Sequence, residues 1–347
     1  MFKYDKKNVI FSALLLIAII AVWFYRNQSQ SIDSQANVPS IQVQGETMGT
    51  TYTIKYIDPQ NRNLKKEIDS ILIAFNQSLS TYIPDSEISI FNSKADSIQF
   101  QSPFFYPVLK RSKEIFERSE GAFDPTVMPL VKAWGFGPNR KDQIEKPKID
   151  SLLLLIGFEN LEFDEKKVKK LKKNVQIDFN AIAQGYGVDV IGDFLEENKI
   201  SNYMIEIGGE VLCKGKNEDG KLWSIGIENP QFEEKGGQQV QAIIQLDNQA
   251  LATSGNYRKF YLKDGKKYAH TIHPKTGYPV QHSLLSATVV ASDAISADAY
   301  ATSMMVLGKD KAIELAKTEG LEIFLVYDDN GQIKTYTSEK IKKVIIN

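Results

Sequence analysis

From Ser292 to Gly308 the chain reads Ser-Asp-Ala-Ile-Ser-Ala-Asp-Ala-Tyr-Ala-Thr-Ser-Met-Met-Val-Leu-Gly, a helix without a polar face. Ser292 or Asp293 can cap its start, and Gly308 suits the left-handed residue past its end. A helix that is apolar or small on nearly every side must be wrapped by other elements, so the chain has to fold around it. Asp298 and Thr302, four apart, are neighbours on one face and share it with Ile295, Met305 and Val306. A carboxylate in such company costs several kcal/mol unless something pairs with it. Two readings are open: a core aspartate satisfied by nearby backbone, or half of a hard-cation site, since carboxylate and hydroxyl oxygens suit magnesium or calcium.

With 347 residues, 42% of them hydrophobic, the chain can bury a large core as one domain or two intimate lobes. Its 42 basic and 43 acidic residues nearly cancel, which gives no general case for nucleic acid as a partner. Cys213 is the only cysteine, so intrachain disulfides and cysteine-based zinc sites are excluded. All three histidines, His270, His273 and His282, fall in one short window.

Val9 to Tyr25 is an uncharged apolar run preceded by Lys3, Lys6 and Lys7 and closed by Arg26. It is near the lower length limit for one transmembrane helix, with Trp23 and Tyr25 at an interface. A cleaved signal peptide is the rival, but no small-x-small site follows and no cysteine is near for lipidation. The expectation is therefore a membrane anchor over 1–26, a polar tether over 27–41, and a catalytic or binding body over 42–347. The excess of positive charge before the run puts the body on the periplasmic, extracytoplasmic side of the inner membrane.

In the body, Gly45 and Gly49 precede the alternating Thr50–Tyr56 and suggest a turn where backbone can approach a ligand. Asn61–Leu79 and Phe104–Ser119 have helical period. Between them Tyr82 sits at an element end, either as a stacking platform or as a partly buried core ring. Pro125 pushes Asp124 into an extended conformation within the apolar stretch from Gly121 to Gly137. Glu165–Lys173 is the one basic run and reads as a solvated hairpin. Asp178-Phe-Asn-Ala181-Ile-Ala-Gln184-Gly joins a strand to a helix through small residues, leaving N–H groups for an anion. Histidines 270 and 273 make a poor zinc pair; a phosphate-contacting or acid–base role, or plain packing, fits them better.

Seven segments in order resemble the FAD:protein FMN transferase family (ApbE-like, formerly labelled thiamine-biosynthesis lipoproteins). They are Gly45–Tyr52, Leu79–Tyr82, Gly121–Thr126, Asp178–Tyr186, Gly208-Gly209, His270–Gly277 and Ser296–Thr302. The resemblance covers nearly the whole body. It implies a mixed α/β, two-lobed fold with FAD in a cleft and Mg²⁺ at its diphosphate. The implied metal ligands are Asp298, Thr302 and the backbone carbonyl of Ala181. The implied FAD contacts are Met48, Tyr82, Ala122, Phe123, Asp124, Asp178, Gln184 and Thr271, with Tyr82 beside the isoalloxazine ring. The family usually has lysine where Gln184 stands, often asparagine at Glu206, and aspartate at His273.

The activity so implied is transfer of FMN from FAD to a threonine or serine hydroxyl of an acceptor protein, with release of AMP. An anchored enzyme suggests a membrane redox-complex subunit as acceptor. His270 is the first candidate for the proton relay, with His273 and Asp298 behind it. The rival readings are an FAD pyrophosphatase releasing FMN and AMP, a non-catalytic FAD-binding module, and an extracellular solute-binding protein.

Overall fold

Strand-forming residues alternate at period two from Ile41 onward, and helical faces recur between them; a computed structural model resolves how they assemble. It describes residues 39–93, 95–135, 144–229, 240–256, 260–263, 266–269 and 271–346. The expected anchor and most of its tether, together with His270, lie outside these. Among the described residues no helix is long and apolar enough to cross a membrane.

In chain order the strands are β1 (Ile41–Thr47), β2 (Thr50–Tyr56), β3 (Ser97–Gln99), β4 (Leu161–Phe163), β5 (Lys167–Lys170) and β6 (Tyr203–Ile207). Then come β7 (Glu210–Lys214), β8 (Trp223–Glu228), β9 (Val240–Leu246), β10 (Gln249–Gly255), β11 (Phe260–Lys263) and β12 (Lys266–Ala269). The last four are β13 (Leu284–Ala291), β14 (Glu322–Asp329), β15 (Gln332–Thr337) and β16 (Ile345–Ile346). Eight of them form one sheet in the order β1-β2-β6-β7-β10-β13-β14-β15, with every neighbouring pair antiparallel.

One face of this sheet carries Tyr52, Ile54, Ile205, Ile207, Ala250, Ala252, Ala287 and Val289 against the helices Ala183–Glu197 and Ala294–Leu307. The other face packs Val211, Cys213, Leu251, Val290, Phe324 and Val326 against Trp223, Ile244 and Ile341 of the small β16-β9-β8 sheet and the last helix. Central strands covered on both faces have lost the polar alternation of a half-exposed strand, which is why Leu284–Ala291 gave no strand signal in sequence. A third, smaller core joins Leu130, Trp134, Ile149 and Ile156 to Ile272. Ile41–Asn347 forms one compact unit.

The Ala294–Leu307 helix is wrapped as its composition demanded: eleven of its side chains are buried. Asp293 is the cap, its Oδ1 accepting from the Ser296 N–H at 3.0 Å. Gly308 departs from the expectation. At φ 77° and ψ 172° it is in the extended positive-φ region that only glycine occupies readily, and from there the chain turns into the helix Lys309–Glu319. Gly45 departs too: it lies inside β1 opposite Tyr52, whose ring leaves no room for a Cβ. The basic run is solvated only in part. Lys170 is buried with its Nζ 4.7 Å from the centre of the Phe91 ring, and burial lowers its pKa.

Candidate active site

Two hairpin turns align at one end of the main sheet. Met48 and Gly49, at φ 50° and 73°, close β1–β2, while Gly208 and Gly209, at φ 64° and 105°, close β6–β7. Positive φ at both turn residues matches the twist of the flanking strands, which glycine meets freely and methionine only at a cost. The β2–β6 pairing sets the turns side by side, and the Gly208 N–H donates to the Thr51 carbonyl at 3.1 Å. Glu206 secures the second turn, its Oε1 accepting from the Gly209 N–H at 2.8 Å. That contact gives the glutamate a local purpose.

The start of the Ala183–Glu197 helix presses on both turns. A Cβ on Gly187 would lie 2.6 Å from Met48 Cε, and one on Gly208 would lie 2.6 Å from Gln184 Nε2. Met48 and Gln184 thus share one rim. Immediately before the helix, Asp178 stands beside the Asp124 segment, its N–H donating to the Pro125 carbonyl at 2.7 Å. Asp124 is extended at φ −150°, as Pro125 requires, and its Oδ1 accepts from both the N–H and the hydroxyl of Thr126. Burial pushes its carboxyl up to about 7, against the opposing pull of those bonds. Ala122 and Phe123 are buried next to it, and a cavity of about 530 Å³ opens there, lined by Gly121, Asp124, Ile156, Gly157, Pro274 and Lys275. Asp178 is also raised by burial, while the Asn180 N–H on its Oδ1 pulls the other way.

Ala181 follows in the turn that leads to the helix, and the anion-site expectation changes here. Its free N–H at Gly185 is already used: it donates to Asp298 Oδ2 at 3.1 Å. Asp298 is 5% exposed, and burial pushes its carboxyl up to about 7. Thr302, one turn on, shares a 3.1 Å hydroxyl–hydroxyl hydrogen bond with Ser254 at the end of β10. Asn256, just beyond, accepts from the Thr271 hydroxyl at 2.9 Å, which ties the 271–280 loop to this end of the sheet.

His273 folds that loop on itself. Its N–H donates to the Tyr278 carbonyl at 2.9 Å, and its Nδ1 accepts from the Lys275 N–H at 3.2 Å. Burial first, then Lys275 and Lys311, hold its pKa below the usual histidine value, so the imidazole is neutral at neutral pH. On the opposite side, the Asn76 amide bonds Thr47 next to the Met48 turn at 2.9 Å. Tyr82, shortly after the helix Lys65–Leu79 that carries Asn76, is 83% exposed, which removes the core-ring reading and leaves its face free to stack.

Contacts thus link Met48 to Gln184 through the two turns and the helix start, Asp124 to Asp178 through Pro125, and Asp298 to the Ala181–Gly185 junction, while Tyr82 stands exposed without a contact to any of these described residues. Among the described residues no three His, Cys, Asp or Glu side chains converge on a possible metal position, so a cation here must also draw on hydroxyl and carbonyl oxygens. Those present fit a hard divalent cation: a buried carboxylate that accepts from the Gly185 N–H, and the hydroxyls of Thr302 and Ser254, with Ala181 four residues ahead of Gly185. Sequence reasoning missed Gly185, Ser254 and Glu210. Alternation along the strand gave no sign that Glu210 is buried, because Lys214 lies on the same face.

Here an antiparallel sheet backed by two helices encloses an acid–hydroxyl pair where glycine turns meet a helix start, and solved flavin transferases share this fold. A flavin transferase ApbE from Vibrio cholerae superposes with a TM-score of 0.78 at 36% identity, covering 88% of this chain and all of its own. A flavinyl transferase ApbE from Pseudomonas stutzeri gives 0.80 at 32% identity, over 88% of this chain and 96% of its own. The ApbE family model matches residues 48–325, and the chain belongs to that family. The FAD:protein FMN transferase of Haemophilus influenzae is 38% identical over 89% of this chain and 93% of its own length.

Proposed function

We propose that this protein transfers FMN from FAD to a threonine or serine hydroxyl of an acceptor protein. The observation that carries the reading is the enclosed Asp298–Thr302 face, set against the Ala181–Gly185 junction in a chain of the ApbE family. The acceptor oxygen attacks the flavin-side phosphorus of FAD. The bond from that phosphorus to the bridging oxygen breaks, AMP departs with that oxygen, and FMN stays attached through a phosphoester. Charge builds on phosphoryl oxygens throughout, so positioning and electrostatics supply most of the acceleration.

Asp298, Thr302 and the Ala181 carbonyl would hold magnesium. When bound, that ion supplies Lewis acidity and charge neutralisation at the diphosphate. Met48 and Gln184 line the flavin side and Tyr82 offers a ring to stack on, while Ala122, Phe123, Asp124, Asp178 and Thr271 orient the rest of FAD. Gln184, neutral where the family usually has lysine, leaves charge compensation near the phosphates to the cation. The hydroxyl proton passes to His270 or, three residues on, to the neutral His273 imidazole.

The N-terminal run supports an anchored enzyme with its body outside the cytoplasm, and so an acceptor within a membrane redox complex. Cell fractionation with protease accessibility tests that placement. Release of the body by salt alone, or its protection inside intact spheroplasts, would overturn it. The activity itself is tested by incubating the full chain with FAD, Mg²⁺ and a threonine-bearing acceptor. In-gel flavin fluorescence on the denatured acceptor, with AMP in equal amount, is expected; free FMN with an unlabelled acceptor identifies a pyrophosphatase instead.

A further inference from the structure

Glu210 takes no part in the machinery above, yet it is the most poorly satisfied acid in the described chain. It opens β7 directly after the Gly208-Gly209 turn. Alternation sends Val211 and Cys213 into the core on the far face, so Glu210 and Leu212 face the helices, and Leu212 packs on the main core. The neighbouring positions on that face are Ile205, Ile207, Ala250 and Ala252, none of which can donate a side-chain hydrogen bond. Glu210 is 6% exposed, and its Oε2 has no hydrogen-bond partner. β7 packs on the Ala294–Leu307 helix that carries Asp298, and the Asp298 charge bears on Glu210.

An unsatisfied buried acceptor costs about 1–3 kcal/mol, and more when charged. A second buried acid, Asp298, adds to that cost unless a positive charge joins them. Among the described residues, no Lys, Arg or His forms an ion pair with either. We propose that Glu210 is a further anionic member of the Asp298–Thr302 cation cradle, acting through its free Oε2. The cradle then carries two carboxylates, which match one divalent cation in charge. Ser254, bonded to Thr302, completes an all-oxygen set on the same side. The inference rests on the cation reading above and extends it to a residue that reading does not use.

Mn²⁺ serves as the probe, with binding to the full chain in mild detergent followed by its paramagnetic resonance signal in the absence of FAD. The wild type is expected to bind Mn²⁺, and Glu210→Gln, equal in shape but uncharged, to bind it about 10- to 100-fold more weakly. Glu210→Asp, which keeps the charge on a shorter arm, should fall between the two. Thermal unfolding in chelator should show Glu210→Gln at least as stable as the wild type, because an unsatisfied acid has been removed. Wild-type Mn²⁺ affinity in either variant overturns the inference and leaves Glu210 a packed core acid. A wild type that binds no Mn²⁺ overturns the cation site and this inference together, while FMN transfer, measured separately, reports on the activity.

Discussion

The backbone N–H of Gly185 donates to the Asp298 carboxylate at 3.1 Å, locking the start of one helix to the middle of another. The contact depends on the missing side chain: a Cβ on Gly185 would lie 2.2 Å from the Ala294 carbonyl oxygen and 2.8 Å from Asp298 Cβ. Gly185→Ala is therefore expected to push the helices apart, at a cost of about 1–3 kcal/mol or more by urea denaturation. Asp298 moves with its helix, so FMN transfer should fall at least about tenfold. Unchanged stability would show that the two helices adjust without strain.

Asp298→Asn separates structure from chemistry. The amide oxygen can still accept from Gly185, so folding in chelator should match or exceed the wild type. Transfer in Mg²⁺ should drop by about 100-fold or more, as expected when a charge clamp is removed from a phosphoryl group. Normal transfer by this variant would sink the assignment of Asp298 to the cation.

Asp124 makes stability depend on pH. Its carboxyl sits at about 7 in the folded protein against 3.8 in the unfolded chain, so between those values the folded state holds a proton the unfolded state has released. Its contribution favours folding fully below about pH 4 and is lost as pH rises through about 7. Asp189 behaves in the same sense, raised to about 7 by burial although its oxygens accept from the Ala294 and Ile295 N–H groups. The melting temperature in chelator should decline from pH 5 to 8, and Asp124→Asn should flatten the decline. An equally steep profile in the variant would place the titration elsewhere.

Tyr82, proposed above as a flavin contact, contributes little to folding because its ring is exposed. Tyr82→Ala should leave the melting temperature within a degree or so and weaken FAD binding roughly 2- to 10-fold, the range of one aromatic contact. Tyr82→Phe should restore it. A phenylalanine variant as weak as alanine would assign the effect to the hydroxyl.

The sequence disclosed the buried helix, because a run without a polar face has one stable place to go, and it disclosed Asp298 as an acid that needed a partner. It also disclosed the Asp124 backbone, since a following proline leaves few conformations open. What it hid was relational. Gly185 looks like any small residue until two helices cross at it, and Glu210 looks like a surface strand acid until β7 is seen covered on both faces. Leu284–Ala291 escaped for the same reason. His273 could be recognised as unusual, but its lowered pKa follows first from burial and then from Lys275 and the sequence-distant Lys311, and neither the burial nor Lys311 shows in local spacing.

The transferase reading is tested most directly by the intact mass of the acceptor after incubation with the full chain, FAD and Mg²⁺. The acceptor should gain one FMN phosphoester on a threonine or serine, in step with AMP release, and should gain nothing with Asp298→Ala. An acceptor of unchanged mass while FAD is cleaved to free FMN and AMP, or while FAD stays intact, would contradict it.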